Sequence, residues 1–234
     1  MKNSEPLQWN DLLFLIGAAL FLFSCIATTR QVARTLEPGQ GEASQGYMQA
    51  RSLEEFSEEP VQLFGLNGRF GITDNFDAGI AHSFDVSKES NNRLNTLWGD
   101  VKWQLTNRDN EANKFTFSPG LLKGYVYDQK AKIHFTSLPL YLSLPVDNRL
   151  TPTFMYRYEL LSEEKFFPNS RSFDDPRHTF SLGLEYSLQE PDPSKWIPKL
   201  GIGLGFINSL NGDSEGDNVL LIDVGFKLTS PPEK

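Results

Sequence analysis

Hydrophobic and polar residues alternate with a period of two along most of the chain after residue 43. Period two places successive side chains on opposite faces of a β-strand, whereas a surface helix would repeat about every 3.6 residues. In residues 218–229 one face is wholly apolar, and the other carries Asp223, Gly225, Lys227 and Thr229 together with Leu221. The same division recurs in seven further segments, so the pattern predicts an all-β protein.

The predicted strands cover residues 43–51, 62–72, 76–86, 95–105, 115–127, 132–144, 150–160, 178–188, 198–208 and 218–229. The first is the weakest. Residues 132–144 change phase, from Ile133 and Phe135 to Leu138 and Leu140, which a β-bulge near Thr136 would reconcile. About ten strands, or alternatively eight, give the even number expected of an antiparallel up-and-down barrel that crosses a bacterial membrane.

The polar face distinguishes a transmembrane barrel from a soluble one, since both kinds of barrel alternate. It combines glycines with charges of both signs. Inside a narrow lumen opposite charges can pair and glycines leave room for long neighbouring side chains, whereas on a solvent-facing sheet such glycines would only weaken the strands. We expect a luminal network of ion pairs, and not acid/base pairs, from Arg69, Asp77, Asp100, Lys102, Arg157, Glu159, Glu185, Asp223 and Lys227.

An apolar run of about a dozen residues (12–23, LLFLIGAALFLF) precedes the lone cysteine and is short for a membrane-spanning helix. Leu22-Phe23-Ser24-Cys25 resembles the lipobox of bacterial lipoproteins. The resemblance implies cleavage before Cys25, a covalent lipid on its thiol, and, because Ile26 is not Asp, an outer-membrane destination. An uncleaved anchor is the alternative, since Glu5 and Asp11 depart from the usual positive start.

This leader divides the chain into a signal peptide (1–24), a lipidated flexible tether (25–42), the barrel (43–229) and a C-terminal tail (230–234). Two segments, residues 71–79 (GITDNFDAG) and the closing strand 220–228, resemble small Gram-negative outer-membrane β-barrels. That resemblance implies a periplasmic N-terminus and, as partners, the outer-membrane lipids and the barrel-assembly and lipoprotein-sorting machineries.

The net charge and the absence of known motifs restrict the partners, cofactors and activities that the sequence predicts. A net charge of −8 without a basic run argues against nucleic acid as a partner. The chain has no P-loop, dinucleotide fingerprint or cysteine cluster, and His82, His134 and His178 lack the spacing of metal ligands. We therefore expect no metal, no cofactor other than the lipid on Cys25, and no enzymatic activity. A lipid hydrolase in the barrel wall, built from a histidine and an adjacent hydroxyl such as Ser83, Thr136 or Thr179, is the least favoured alternative.

Two functions are compatible with this sequence. The first is an outer-membrane barrel lipoprotein of structural, adhesive or narrow-channel type, with acidic outer loops at residues 53–55, 58–59 and 213–217 available to a surface partner. The second is a soluble periplasmic lipoprotein whose lipocalin-like barrel binds a hydrophobic ligand, with the apolar face turned inward.

Overall fold

The computed structural model describes residues 31–53, 60–87, 95–106, 115–127, 132–163, 176–192, 194–209 and 218–231. Cys25, the predicted signal peptide and most of the acidic loops lie outside these residues. None of the described residues forms a helix that is long and apolar enough to span a membrane. The described strands are β1 (Gly41–Ser52), β2 (Val61–Thr73), β3 (Phe76–Asp85), β4 (Asn95–Trp103), β5 (Thr116–Tyr127), β6 (Lys132–Ser143), β7 (Leu150–Glu163), β8 (Pro176–Ser187), β9 (Ile197–Ser209) and β10 (Val219–Thr229).

The strands form one closed antiparallel barrel in which each strand pairs with its neighbours in the chain. β1 and β10 close the ring through a continuous register from Glu42↔Thr229 to Ser52↔Val219. β1 meets β2 at Gly41↔Phe70. The prediction of a ten-stranded up-and-down barrel is therefore confirmed, including the weakly patterned first strand.

The two ends of the barrel differ in their connections. At one end, here called the terminal end, β1 begins, β10 ends and the turn between β2 and β3 needs only residues 74–75. The turn between β6 and β7 also lies there, and its Asp147 carboxylate accepts hydrogen bonds from the backbone N–H groups of Arg149 (2.6 Å) and Leu150 (2.7 Å). These donors lower the pKa of Asp147, because they stabilise its charged form. The opposite end is called the distal end.

The apolar face of the sheet points outward and the polar face points into the barrel. Mid-strand residues such as Leu182, Ile202 and Leu204 are 62%, 55% and 51% exposed on the outer wall. The inward residues between them are small or polar, for example Ser181, which is 3% exposed. A barrel that binds an apolar ligand inside needs the reverse orientation, so the structure disagrees with that alternative.

β6 has no bulge, and the prediction of one near Thr136 is wrong. Its register with β7 runs without a break from Ile133↔Glu163 to Ser143↔Thr153. The odd residues face the lumen throughout, and Phe135 packs there against Trp98 and Leu122. The change of phase in the sequence therefore reflects an apolar patch inside the barrel. The register shift that does occur lies between Gly71 and Thr73, beside the β2–β3 turn.

A second apolar cluster in the barrel joins Met48 of β1 to Leu221 of β10. Both residues lie toward the distal ends of their strands, as Phe135 does in β6. The lumen is therefore partly apolar toward the distal end, and most of its charged residues lie nearer the terminal end.

Candidate functional site

The interior of the barrel is the most distinctive chemical environment of the molecule. All nine charged residues of the predicted luminal network lie inside it, and each is at most 9% exposed. Alternation along the strands places them there, since each lies on the face opposite the outward apolar residues. The structure distributes them among separate groups, described next.

The largest group centres on Arg69 of β2. Its guanidinium contacts the carboxylates of Asp77 on β3 and Asp100 on β4. Lys102 of β4 lies directly opposite Asp77 in the β3–β4 register, and its ammonium is 3.4 Å from that carboxylate. Two cations thus face two anions, and all four side chains are buried. Such a group is stable only while all of its charges are matched.

A second group lies on the opposite wall, between β8, β9 and β10. Glu185 receives the ammonium groups of Lys227 at 2.8 Å and Lys199 at 3.0 Å. Lys227 also lies 3.6 Å from Glu42 at the start of β1. Lys199 and Glu42 were not among the predicted network residues. Lys199 lies two residues before Gly201, and Glu42 lies two residues before Ser44. Because side chains two residues apart share a face of a strand, this spacing is the sequence signal that places both on the inner face.

The remaining predicted residues lie farther along the lumen. Arg157 and Glu159 of β7 form an ion pair at 3.4 Å within their own strand. Asp223 of β10 is buried opposite Met48 of β1. These residues extend the polar surface from the terminal end toward the middle of the barrel.

The chain before β1 enters this interior. Ala33 is fully buried, and its backbone N–H donates to Ser143 Oγ at 2.7 Å. Lys102 donates from Nζ to the carbonyls of Val32 (2.7 Å) and Arg34 (3.1 Å). The backbone N–H of Leu36 donates to Asp77 Oδ2 at 3.0 Å. Residues 31–36 are called the inner segment here.

The inner segment leaves the lumen over Gly71. A Cβ at this position would lie 2.7 Å from the carbonyl carbon of Glu37, so the close approach requires glycine. Gly39 has φ 75°, in the left-handed region that glycine adopts without strain, and its N–H donates to Gly71 O at 3.0 Å. The expectation of a flexible tether up to residue 42 therefore fails for residues 31–40, because polar groups of the barrel bind their backbone. β1 follows at Gly41.

A cavity of about 550 Å³ opens between the inner segment and the second ion-pair group. Its lining includes Gln31, Lys102, Thr151, Glu185 and Lys227, all of which belong to the inner segment or to the terminal halves of their strands. The cavity is thus a polar vestibule at the terminal end.

The three histidines lie on the outer wall. His82 and Ser83 point to opposite faces, since Ser83 is buried in the lumen beside Thr96. His178 and Thr179 are divided in the same way, and His178 Nδ1 lies 2.7 Å from the hydroxyl of Tyr156. Neighbours in the sequence therefore do not form a His–hydroxyl pair. Within the described ranges, no group of three or more His, Cys, Asp or Glu side chains is arranged to hold a metal.

The fold defines the molecule as a closed antiparallel β-barrel. No protein-family model and no curated protein matches the chain. Similar solved structures include the COG4313 outer membrane channel from Pseudomonas putida F1, with 11% identity, TM-score 0.42 and coverage of 85% of this chain and 97% of that one. The outer membrane protease OmpT from Escherichia coli has 13% identity, TM-score 0.35 and coverage of 85% and 98%.

The anion-selective porin from Comamonas acidovorans has 12% identity and TM-score 0.36 over 72% of this chain. The chain spans about half the length of that porin (49%). These proteins are outer-membrane barrels with different activities, and at such identities the likeness concerns the barrel architecture alone.

Proposed function

We propose that this chain is a lipid-anchored outer-membrane barrel of a Gram-negative bacterium, which serves as a structural or surface-interaction protein and not as an open pore. The outward apolar wall supports membrane insertion. Large exposed apolar surfaces are unfavourable in water, and side chains such as Leu182 and Ile202 remain more than half exposed in the folded barrel.

The filled lumen is the observation that carries the non-pore part of the proposal. The inner segment and the Arg69 group occupy the lumen at the terminal end. The clusters around Phe135 and Met48 occupy it toward the distal end. A large solute would have to displace both fillings.

The position of the inner segment agrees with a lipid on Cys25 and with a periplasmic terminal end. Gln31 lies at the vestibule, and the six residue steps from Cys25 to Gln31 can reach about 20 Å when extended. A lipid on Cys25 would then enter the leaflet nearest the terminal end. In this orientation the distal ends of the strands point away from the periplasm, and the acidic segments that connect them in the sequence, at residues 53–55, 58–59 and 213–217, would be available to a surface partner.

Conductance in planar bilayers tests the proposal directly. We expect insertion of the full chain to give no steady ionic current, because charged side chains and the inner segment fill the lumen. Insertion is verified by protease protection of the barrel in vesicles of the same lipid composition. A steady, voltage-independent current from inserted protein would contradict the proposal and favour the narrow-channel function.

A further inference from the structure

One side of the outer wall carries a cluster of cationic and aromatic residues toward the distal end. It is formed by β3, β5 and β6, and we call it the distal cationic patch. Its members are His82, Lys123, Tyr125, Tyr127, Lys132 and His134.

Contacts join five of these side chains, all except Lys123, into one surface. Lys132 Nζ lies 4.5 Å from the centre of the Tyr125 ring, which is 5.5 Å from the Tyr127 ring and 6.1 Å from the His134 ring. The Tyr127 hydroxyl is 3.2 Å from His82 Nε2. A cation over an aromatic face is stabilised by the ring quadrupole, and the tyrosines orient Lys132 at the wall.

Lys123 is the unexpected member. It follows Leu121 and precedes Tyr125 on the outward face of β5, four residues before the strand ends at Tyr127. Lys123 is exposed, and it has no ion-pair partner among the described residues. A lysine on a lipid-facing strand is costly unless its ammonium reaches the polar headgroups or an anion.

The outward strand positions around the patch carry charge of one sign, although the whole chain has a net charge of −8. The acidic residues of β3 and β4, which are Asp77, Asp85 and Asp100, all point into the lumen. The outward positions of β3 to β6 contain neither Asp nor Glu. The strands around Lys123 therefore provide it with no outward counter-ion.

We propose that the distal cationic patch binds the phosphate of a phosphorylated lipid in the leaflet at the distal end. Lys123 and Lys132 supply the charge that pairs with the phosphate. On the side of the patch that faces the terminal end, the outer wall is apolar. Leu121 and Leu138 are 48% and 51% exposed there, in a position to contact the acyl chains of the same lipid. This combination favours a lipid over free phosphate. The inference rests on the proposed membrane insertion.

The test uses the full chain in phosphatidylcholine vesicles that contain a minor share of phosphatidic acid, a lipid with a phosphate monoester headgroup. Native mass spectrometry of the extracted barrel measures the phosphatidic acid that each barrel retains. A lysine near an anionic membrane surface is worth about 1 kcal/mol, or about fivefold in affinity. Lys123→Gln and Lys132→Gln should each weaken retention about fivefold, and the double variant about twentyfold.

Arg51→Gln is the matched control, because Arg51 is also an outward cation near the distal end but lies on β1. It should change retention by less than about twofold. Equal losses in the control and in the patch variants, or undiminished retention in the double variant, would overturn the inference. Displacement of the lipid by excess inorganic phosphate would also overturn it, because the ligand would then be phosphate and not a lipid.

The same samples separate the two proposals. Resistance to dissociation on an unheated denaturing gel reports whether each variant has inserted and folded. Inserted variants without selective lipid retention would remove the lipid site and leave the membrane barrel standing. Failure of the unsubstituted chain to insert would remove both.

Discussion

Arg69 balances two buried carboxylates that come from two neighbouring strands, Asp77 on β3 and Asp100 on β4. Replacing a charged residue of such a group leaves its partners buried without compensation, which costs far more than an intact pair contributes. The consequences of a substitution here therefore depend on which charges remain.

Arg69→Leu should lower the free energy of unfolding by about 3–5 kcal/mol, because Asp77 and Asp100 lose their shared cation. Adding Asp100→Asn to this variant should recover part of the loss, since one uncompensated charge is removed. Urea unfolding followed by tryptophan fluorescence, on the two single variants and the double variant, measures the coupling. Strictly additive effects would show that Arg69 and Asp100 are not coupled.

Lys102 connects the barrel to the inner segment through the carbonyls of Val32 and Arg34. Lys102→Met retains most of the side chain but removes these donors, so the segment should leave the lumen more often. Introduced into an Ala33→Cys chain, the substitution should accelerate thiol labelling at residue 33 at least about tenfold, which corresponds to about 1.4 kcal/mol.

The chain with Ala33 unchanged, whose only cysteine is Cys25, gives the background labelling. Equal labelling rates in the Ala33→Cys chain with and without the Lys102→Met substitution would mean that these hydrogen bonds do not retain the segment.

At the scale of single residues, the sequence predicts which face of the sheet each side chain occupies but not which side chains come into contact. Strand phase was sufficient to place Asp77 and Lys102 on the inner face, because a period of two fixes the side of the sheet. Which residues meet depends on the register between strands and across the lumen. That is why Glu185 could not be paired with Lys199 and Lys227 from the sequence.

The strands were predictable because each carries its own alternation and ends near turn residues. β3 and β9 begin or end within a residue or two of the predicted limits. The predicted bulge in β6 is wrong for a physical reason. Ile133 and Phe135 are apolar but face inward, where Trp98 and Leu122 provide an apolar environment, and alternation alone does not distinguish an apolar interior from a shifted register.

Substitutions at Leu204 and Leu144 distinguish a lipid-facing barrel wall from a surface that faces water. Both are about half exposed, at 51% and 48%, but Leu204 lies in the middle of β9 and Leu144 lies just beyond the end of β6. Leu204→Arg should cost up to about 2–4 kcal/mol at the bilayer midplane, and Leu144→Arg about 0–1 kcal/mol near the interface.

Insertion yield into phosphatidylcholine vesicles, measured side by side, shows the difference. Equal yields for the two arginine variants would contradict a lipid-facing position for Leu204. A loss confined to Leu144→Arg would do so as well.

For the whole molecule, the position of the chain before β1 is the feature that the sequence did not reveal. Residues 31–40 have no periodicity, because their backbone is satisfied by side chains of the barrel, such as Ser143, Gln104 and Asp77, and not by a ladder. Composition indicated a tether, whereas the polar groups that bind this segment lie about 40 to 110 residues away in the chain. Burial inside the barrel makes the segment a part of the fold.

The proposed molecule is a closed barrel that is inserted in the outer membrane and anchored by a lipid on Cys25. The most direct test is a denaturing gel, with and without heating, of the outer-membrane fraction from cells grown with a labelled lipid precursor. The account predicts a labelled band that migrates differently when unheated, and loss of the label, but not of the heat shift, in Cys25→Ser. An unlabelled protein that washes off the membrane and migrates identically under both conditions would contradict it.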